Sequence, residues 1–182
     1  MRFDITIRMA DEGRVPFAAM AQITIVDAKT PDPIRLVEKS DLTVSAMRND
    51  HPPVVNSYAL RFDAGDKSIT FSGDTRYLPS LAGFAKNSDV LVHEALLAKG
   101  LDHVLAKTRT GDDRLKNHLL TAHSFAEQAG QIAAAANVGH LVLNHLIPPE
   151  RNICNDANWQ AETRRSFDGR CSVGHDGMEI EF

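Results

Sequence analysis

SITFSGDT, Ser68 to Thr75, is a short strand pattern that runs straight into turn chemistry. Ile69, Thr70 and Phe71 make the apolar run of a buried strand, and Gly73, Asp74 and Thr75 end it. An acid at the tip of a core strand is held rigidly, with small residues beside it to let a ligand approach, and that suits a metal ion better than a packing role. Taken alone, the stretch reads equally well with Asp74 capping a turn or the following helix. The decision comes from further along the chain.

Composition sets the outer limits. At 182 residues the chain is long enough for one domain, spanning 1–182, with a substantial core. A net charge of -4, from 20 Lys and Arg against 24 Asp and Glu, argues against a chain-wide electrostatic footprint for nucleic acid and leaves room only for a local basic patch. Cys154 and Cys171 have neither a metal-type spacing nor the number for a disulfide framework, so a reduced compartment is expected. MRFDITIRMADEGR at the start is charged within four residues and has no apolar run, which predicts neither a signal peptide nor a membrane span and points to the cytoplasm.

Read in order, Phe3, Ile5 and Ile7 alternate as a strand, and Ala21 to Val26 (AQITIV) reads as a second, followed by a loop at Thr30 to Pro33. Leu42 to Ala46 is a third strand, leading to a loop in which His51 stands before two prolines. Ser57 to Phe62 alternates again, and Ala64, Gly65 and Asp66 form a hairpin turn into the strand of SITFSGDT. The first 75 residues are thus nearly all strand and turn. Beyond Asp74, Leu78 to Ala85 spaces its apolar residues as a short helix, and Asp89 to Val92 is a buried strand delivering His93 and Glu94 to its end. Residues 97–122 are rich in charge and read as a partly helical, lid-like insertion. Ser124 to Ala136 is the strongest helix pattern, begun near His123 and ended by Asn137. Leu141 to Leu143 is another buried strand, releasing Asn144 and His145. A helix over Asn158 to Phe167 and two short strands in Cys171 to Phe182 complete the chain.

Three times a short buried strand ends in a polar residue suited to metal or proton work: Asp74, His93 with Glu94, and His145. Strand ends that point one way line a common crevice, where ligands bind. His51 and His123 add two more candidates, while His103, His118, His140 and His175 read as ordinary core or surface histidines.

SGDT (Ser72 to Thr75), HEAL (His93 to Leu96), HSFAEQAG (His123 to Gly130) and LVLNHLIP (Leu141 to Pro148), in that order, resemble the second half of a metallo-β-lactamase-fold metallohydrolase of the ribonuclease Z and arylsulfatase-like branch. The resemblance covers roughly Leu42 to Phe182. It implies an α/β fold, half to most of an αββα sandwich, with a mixed sheet and helices on one face. It also implies a dinuclear site of zinc or manganese in which Asp74 bridges the ions and His51 and His145 each ligate one. His123 then protonates the leaving group or binds the scissile phosphate, Glu94 orients it, and His93 is counted with them among the catalytic residues.

The HxHxDH signature that supplies four further ligands in that family does not occur in this sequence. The resemblance therefore leaves two readings. In one, the chain is a hydrolase in which a metal-held hydroxide attacks a small-molecule ester or phosphoester, with RNA less favoured by the charge and with a partner chain able to complete the site. In the other, it is a weak or inactive remnant that binds or oligomerises through the sheet face a missing layer would cover. Self-association, as a homo-oligomer, is expected in either case. A magnesium phosphatase with Asp74 as nucleophile is a third, weaker alternative, because Thr75 and Arg76 follow Asp74 where a second acid is wanted.

Overall fold

The computed structural model describes residues 2–16, 32–107 and 112–182. Seven strands form one sheet in sequential order: β1 (Ile34–Glu38), β2 (Leu42–Arg48), β3 (Tyr58–Ala64), β4 (Lys67–Phe71), β5 (Val90–Leu96), β6 (His140–Ile147) and β7 (Arg170–Val173). The first four pair antiparallel and the last four parallel, so the sheet is mixed. Short turns allow the antiparallel half; Gly65, at φ 60°, makes the tight turn between β3 and β4. Parallel pairing needs longer crossovers, and the chain supplies them as helices.

Among the described residues the helices are α1 (Arg2–Asp11), α2 (Leu81–Phe84), α3 (Leu101–Ala106), α4 (Arg114–Ala122), α5 (Ala126–Ala136) and α6 (Asp156–Thr163), with a 3-10 turn over Ala98–Gly100. Helix α5 lies against β5 and β6 with α2 and α6 beside it. Its Ala126, Ala129, Gly130, Ile132, Ala133 and Ala136 are buried, because small side chains let a helix approach a sheet closely. The core joins these to Leu91, Leu141 and Leu143 from the sheet and to Trp159 from α6. Asn137 closes α5 in the left-handed conformation, at φ 54°, a role Asn tolerates better than other non-glycine residues. Asn155 caps α6 by accepting from the Asn158 amide at 3.1 Å.

Among the described residues, the helices with the strongest contacts to the sheet, α5 and α6, pack on the face that carries Leu91, Leu141 and Leu143. The strand registers place Val44, Ala46, Leu60, Phe62, Ile69, Phe71, Val92 and Val142 on the opposite face. Phe71 is exposed there, its ring edge-on to Phe62 at 5.9 Å.

Several expectations need correction. Phe3, Ile5 and Ile7 lie in α1, not in a strand. Among the described residues no strand pairs with this segment, Ile7 and Met9 stay exposed, and Arg8 and Glu12 form an i,i+4 ion pair at 3.9 Å of the kind a helix favours. His93 and Glu94 sit inside β5, which continues to Leu96, so both are buried. Between Cys171 and Phe182 there is one strand, β7; a turn at Asp176 and Gly177 ends further pairing. The short helix expected over Leu78 to Ala85 contracts to four residues, and the terminal helix begins at Asp156 and ends at Thr163. The expected strand Ala21 to Val26 lies outside the described residues.

Candidate active site

The loop after β4 is built to hold one carboxylate still. The Ser72 amide donates to Val92 O at 2.9 Å, and Ser72 Oγ accepts from the Glu94 amide at 3.1 Å, tying the loop to β5. Gly73 follows at φ 59°, where a Cβ would stand 2.6 Å from Tyr58 O, so both the conformation and the close approach require glycine. Asn49 Nδ2 donates to Ser72 O at 2.6 Å, Ser57 Oγ donates to Asp74 O at 3.3 Å, and the Arg76 amide donates to Asp50 O at 2.8 Å. These bonds restrain the backbone around Asp74 and leave its carboxylate partly exposed.

His145 reaches that carboxylate through an irregularity in β6. Glu94 pairs with Asn144 and Ala95 with Leu146, so His145 is the extra residue of a bulge, at φ 41°. Bulges turn a side chain out of the regular alternation, and a non-glycine residue with positive φ costs of order 1–3 kcal/mol. The displaced imidazole places Nε2 at 3.6 Å from Asp74 Oδ2.

Beneath this pair lies a buried network around Glu94. Its Oε1 accepts from the Thr75 amide at 3.1 Å, the Ser124 amide at 3.0 Å and His123 Nδ1 at 3.3 Å, while Oε2 is buried with no partner among the described residues. Ser124 Oγ donates to Thr75 O at 2.7 Å, locking the segment between α4 and α5 onto the Asp74 loop. His123 itself is extended, at φ -124°, so it lies between two helices and not at a helix start. His93 Nδ1 donates to Glu94 O at 2.7 Å, and burial pushes its imidazole below the ordinary value, against smaller opposing effects of that bond and of the Glu94 charge. His51 Nδ1 lies 2.9 Å from Ala122 O, one of the last carbonyls of α4. A carbonyl only accepts, so Nδ1 carries the proton and Nε2 keeps its lone pair.

The structure thus brings His51, Asp74, His123 and His145 together from four separate segments. The His51 and His123 rings are 5.1 Å apart, and His123 stacks on His145 at 5.6 Å. His118, read from sequence as an ordinary surface residue, joins them, 6.0 Å from His51 and 5.7 Å from His123. Nothing in its local pattern marks it; only the packing of α4 beside the His51 loop does.

The Asp74 and His145 donors suit a metal ion. Two ligand atoms bound at 2.0–2.2 Å in tetrahedral geometry stand about 3.4 Å apart, close to the separation here. His145 adds the nitrogen and Asp74 the carboxylate oxygen that zinc or manganese accepts. Among the described residues no three His, Cys, Asp or Glu side chains are yet gathered tightly enough to hold an ion by themselves.

No family model matches the chain. It is 28% identical over 163 residues to ribonuclease Z of Mycobacterium tuberculosis strain H37Rv, covering 85% of this chain and 57% of that protein. Ribonuclease Z of Mycobacterium sp. strain KMS gives the same identity, with 54% of its length covered, so the chain spans little more than half of these relatives. Among solved structures it is similar to the metallo-β-lactamase fold protein YhfI of Bacillus subtilis, with TM-score 0.58, 24% identity, and 82% and 52% of the two chains covered. Zinc-bound PqqB of Methylobacterium extorquens gives TM-score 0.59 at 15% identity, covering 82% and 53%. The short form of human tRNase Z gives 0.53 at 19%, covering 81% and 44%. The mixed seven-stranded sheet with its crossover helices and these likenesses define a protein of the metallo-β-lactamase fold. Within that fold, the curated relatives to which its sequence is similar are ribonucleases Z.

Proposed function

We propose that the chain is a metal-dependent hydrolase of the metallo-β-lactamase superfamily acting on a phosphodiester, with RNA as the substrate class suggested by its ribonuclease Z relatives. The observation that carries this reading is the Asp74–His145 pair, 3.6 Å apart, next to a histidine whose Nδ1 meets a buried carboxylate. Asp74 and His145 would hold one divalent ion, and His51 would contribute to a second. Such ions, when bound, activate water and offset charge developing on the phosphoryl group.

The chain's own residues do the rest. Glu94 fixes His123 through Nδ1, so Nε2 is the atom that holds a proton for the leaving oxygen. His93, buried and bonded to the Glu94 carbonyl, stiffens the strand from which Glu94 reaches. Ala122 O holds His51 with its Nε2 lone pair available for a metal. A partner chain could supply further ligands. The net charge of -4 belongs to the whole chain, and a local site can still accept a polyanion.

The test is metal content and turnover together. Purified protein incubated with zinc or manganese, then dialysed, should retain metal and cleave an RNA oligonucleotide or bis(p-nitrophenyl) phosphate, and Asp74→Ala should lose both. Full metal retention and turnover in Asp74→Ala would sink the proposal.

The apolar sheet face opposite α5, where Phe71 is exposed, favours a second reading, a module that self-associates with little catalysis of its own. Leaving a large side chain exposed costs about 1.5–3 kcal/mol, and dimerisation over the exposed Phe71, with the partly buried Phe62 and Val92 beside it, would relieve that cost. Sedimentation showing a dimer that neither keeps zinc nor hydrolyses either substrate would select it.

A further inference from the structure

The hydrolase reading assigns roles to His51, Asp74, His93, Glu94, His123 and His145 and leaves His118 without one. His118 lies on α4, whose burial is supplied by Leu119 and Ala122; its own side chain is exposed and contributes nothing to the core. Among the described residues its ring nitrogens have no hydrogen-bond partner. Its ring nonetheless stands edge-on to those of His51 and His123, and the three form a triangle with sides of 5.1, 5.7 and 6.0 Å.

The other two members of the triangle are oriented from behind. The Nδ1 atoms of His51 and His123 are engaged by Ala122 O and Glu94 Oε1, which leaves their Nε2 atoms on the far edges of the rings. His118 is the member free to turn and donate. An imidazole N–H beside a site for a phosphodiester is a charge-assisted donor to a non-bridging phosphoryl oxygen, and such bonds are stronger than neutral ones. His123 touches both His118 and His145, so an oxygen contacted by His118 lies next to the group that protonates the leaving oxygen and next to the metal pair.

Resting on the hydrolase reading, we propose that His118 binds the substrate's phosphoryl group, donating from its imidazole to a non-bridging oxygen, and is not a metal ligand. The mobility of an exposed side chain suits this task, because the contact needs to form only when the phosphate is present.

Inorganic phosphate is the probe, titrated into the metal-free full chain while the histidine ring signals are followed by NMR. Wild type should shift the His118 resonances, and His118→Ala should weaken phosphate binding about 10- to 100-fold, the loss expected for one hydrogen bond to a charged group. His118→Asn, which keeps a donor, should recover part of it. With zinc present, His118→Ala should keep its metal content and lose a similar factor in kcat/KM on bis(p-nitrophenyl) phosphate. Unchanged phosphate affinity, or zinc lost in His118→Ala, overturns the assignment. Phosphate binding is read without metal or turnover, whereas the hydrolase reading fails separately if wild type holds no zinc or Asp74→Ala retains it.

Discussion

His145 Nε2 stands 3.6 Å from Asp74 Oδ2 because His145 is the unpaired residue of a bulge in β6, with φ 41°. A regular strand would alternate this residue onto a sheet face, away from the end of β4. The bulge carries a conformational cost, and the proposed metal site would account for it.

That cost can be measured by comparing two variants that both remove the imidazole. His145→Gly should be more stable than His145→Ala by about 1 kcal/mol, since only glycine occupies the left-handed region freely. Urea unfolding midpoints check this, and zinc retention should fall in both. Equal stabilities would show that the bulge is unstrained.

Gly73→Ala attacks the neighbouring loop. A methyl group 2.6 Å from Tyr58 O and 2.9 Å from Asn49 Nδ2, on a backbone at φ 59°, has no room without moving the Asp74 loop. The expected loss is about 2 kcal/mol or more of stability, with metal binding weakened alongside it.

Glu94 supports both the fold and the orientation of His123, the proposed proton donor, and two substitutions separate these tasks. Glu94→Ala strands the buried amides of Thr75 and Ser124, at about 1–3 kcal/mol for each unsatisfied group. Glu94→Gln retains an acceptor oxygen and should fold normally, with kcat reduced because the His123 orientation now rests on a neutral amide. Thermal unfolding and steady-state rates on bis(p-nitrophenyl) phosphate distinguish them.

His93 makes stability depend on pH. Burial holds its folded-state value below the ordinary 6.5, so the unfolded chain binds more protons in the interval beneath that value. Its contribution is therefore fully present above about pH 6.5 and is lost as pH falls from there toward the folded-state value. His140 is shifted the same way, by burial and then by the charge of Arg170. His93→Gln should flatten the decline in stability between pH 6.5 and 5, measured by denaturant titration at each pH. An undiminished slope would assign it to other groups.

The strands β2 to β6 and helix α5 are legible in the sequence because each carries its own period: alternation in Ser57 to Phe62, a short apolar run in Asp89 to Val92, alanine-rich spacing before Asn137. The candidate residues Asp74, Glu94, His123 and His145 follow from the same reading, since they sit where those patterns break. Local pattern fails where no partner confirms it, and Phe3, Ile5 and Ile7 alternate as a strand would but, among the described residues, pair with no strand and form α1. Only the tertiary structure decides that His145 is a bulge residue, that Glu94 Oε1 gathers amides from two distant segments, and that His118 joins His51 and His123. Those facts depend on the register of β6 against β5 and on the packing of α4 beside the His51 loop. Sequence periodicity tells which face of an element is buried, and it carries no information about which distant atom that face will meet.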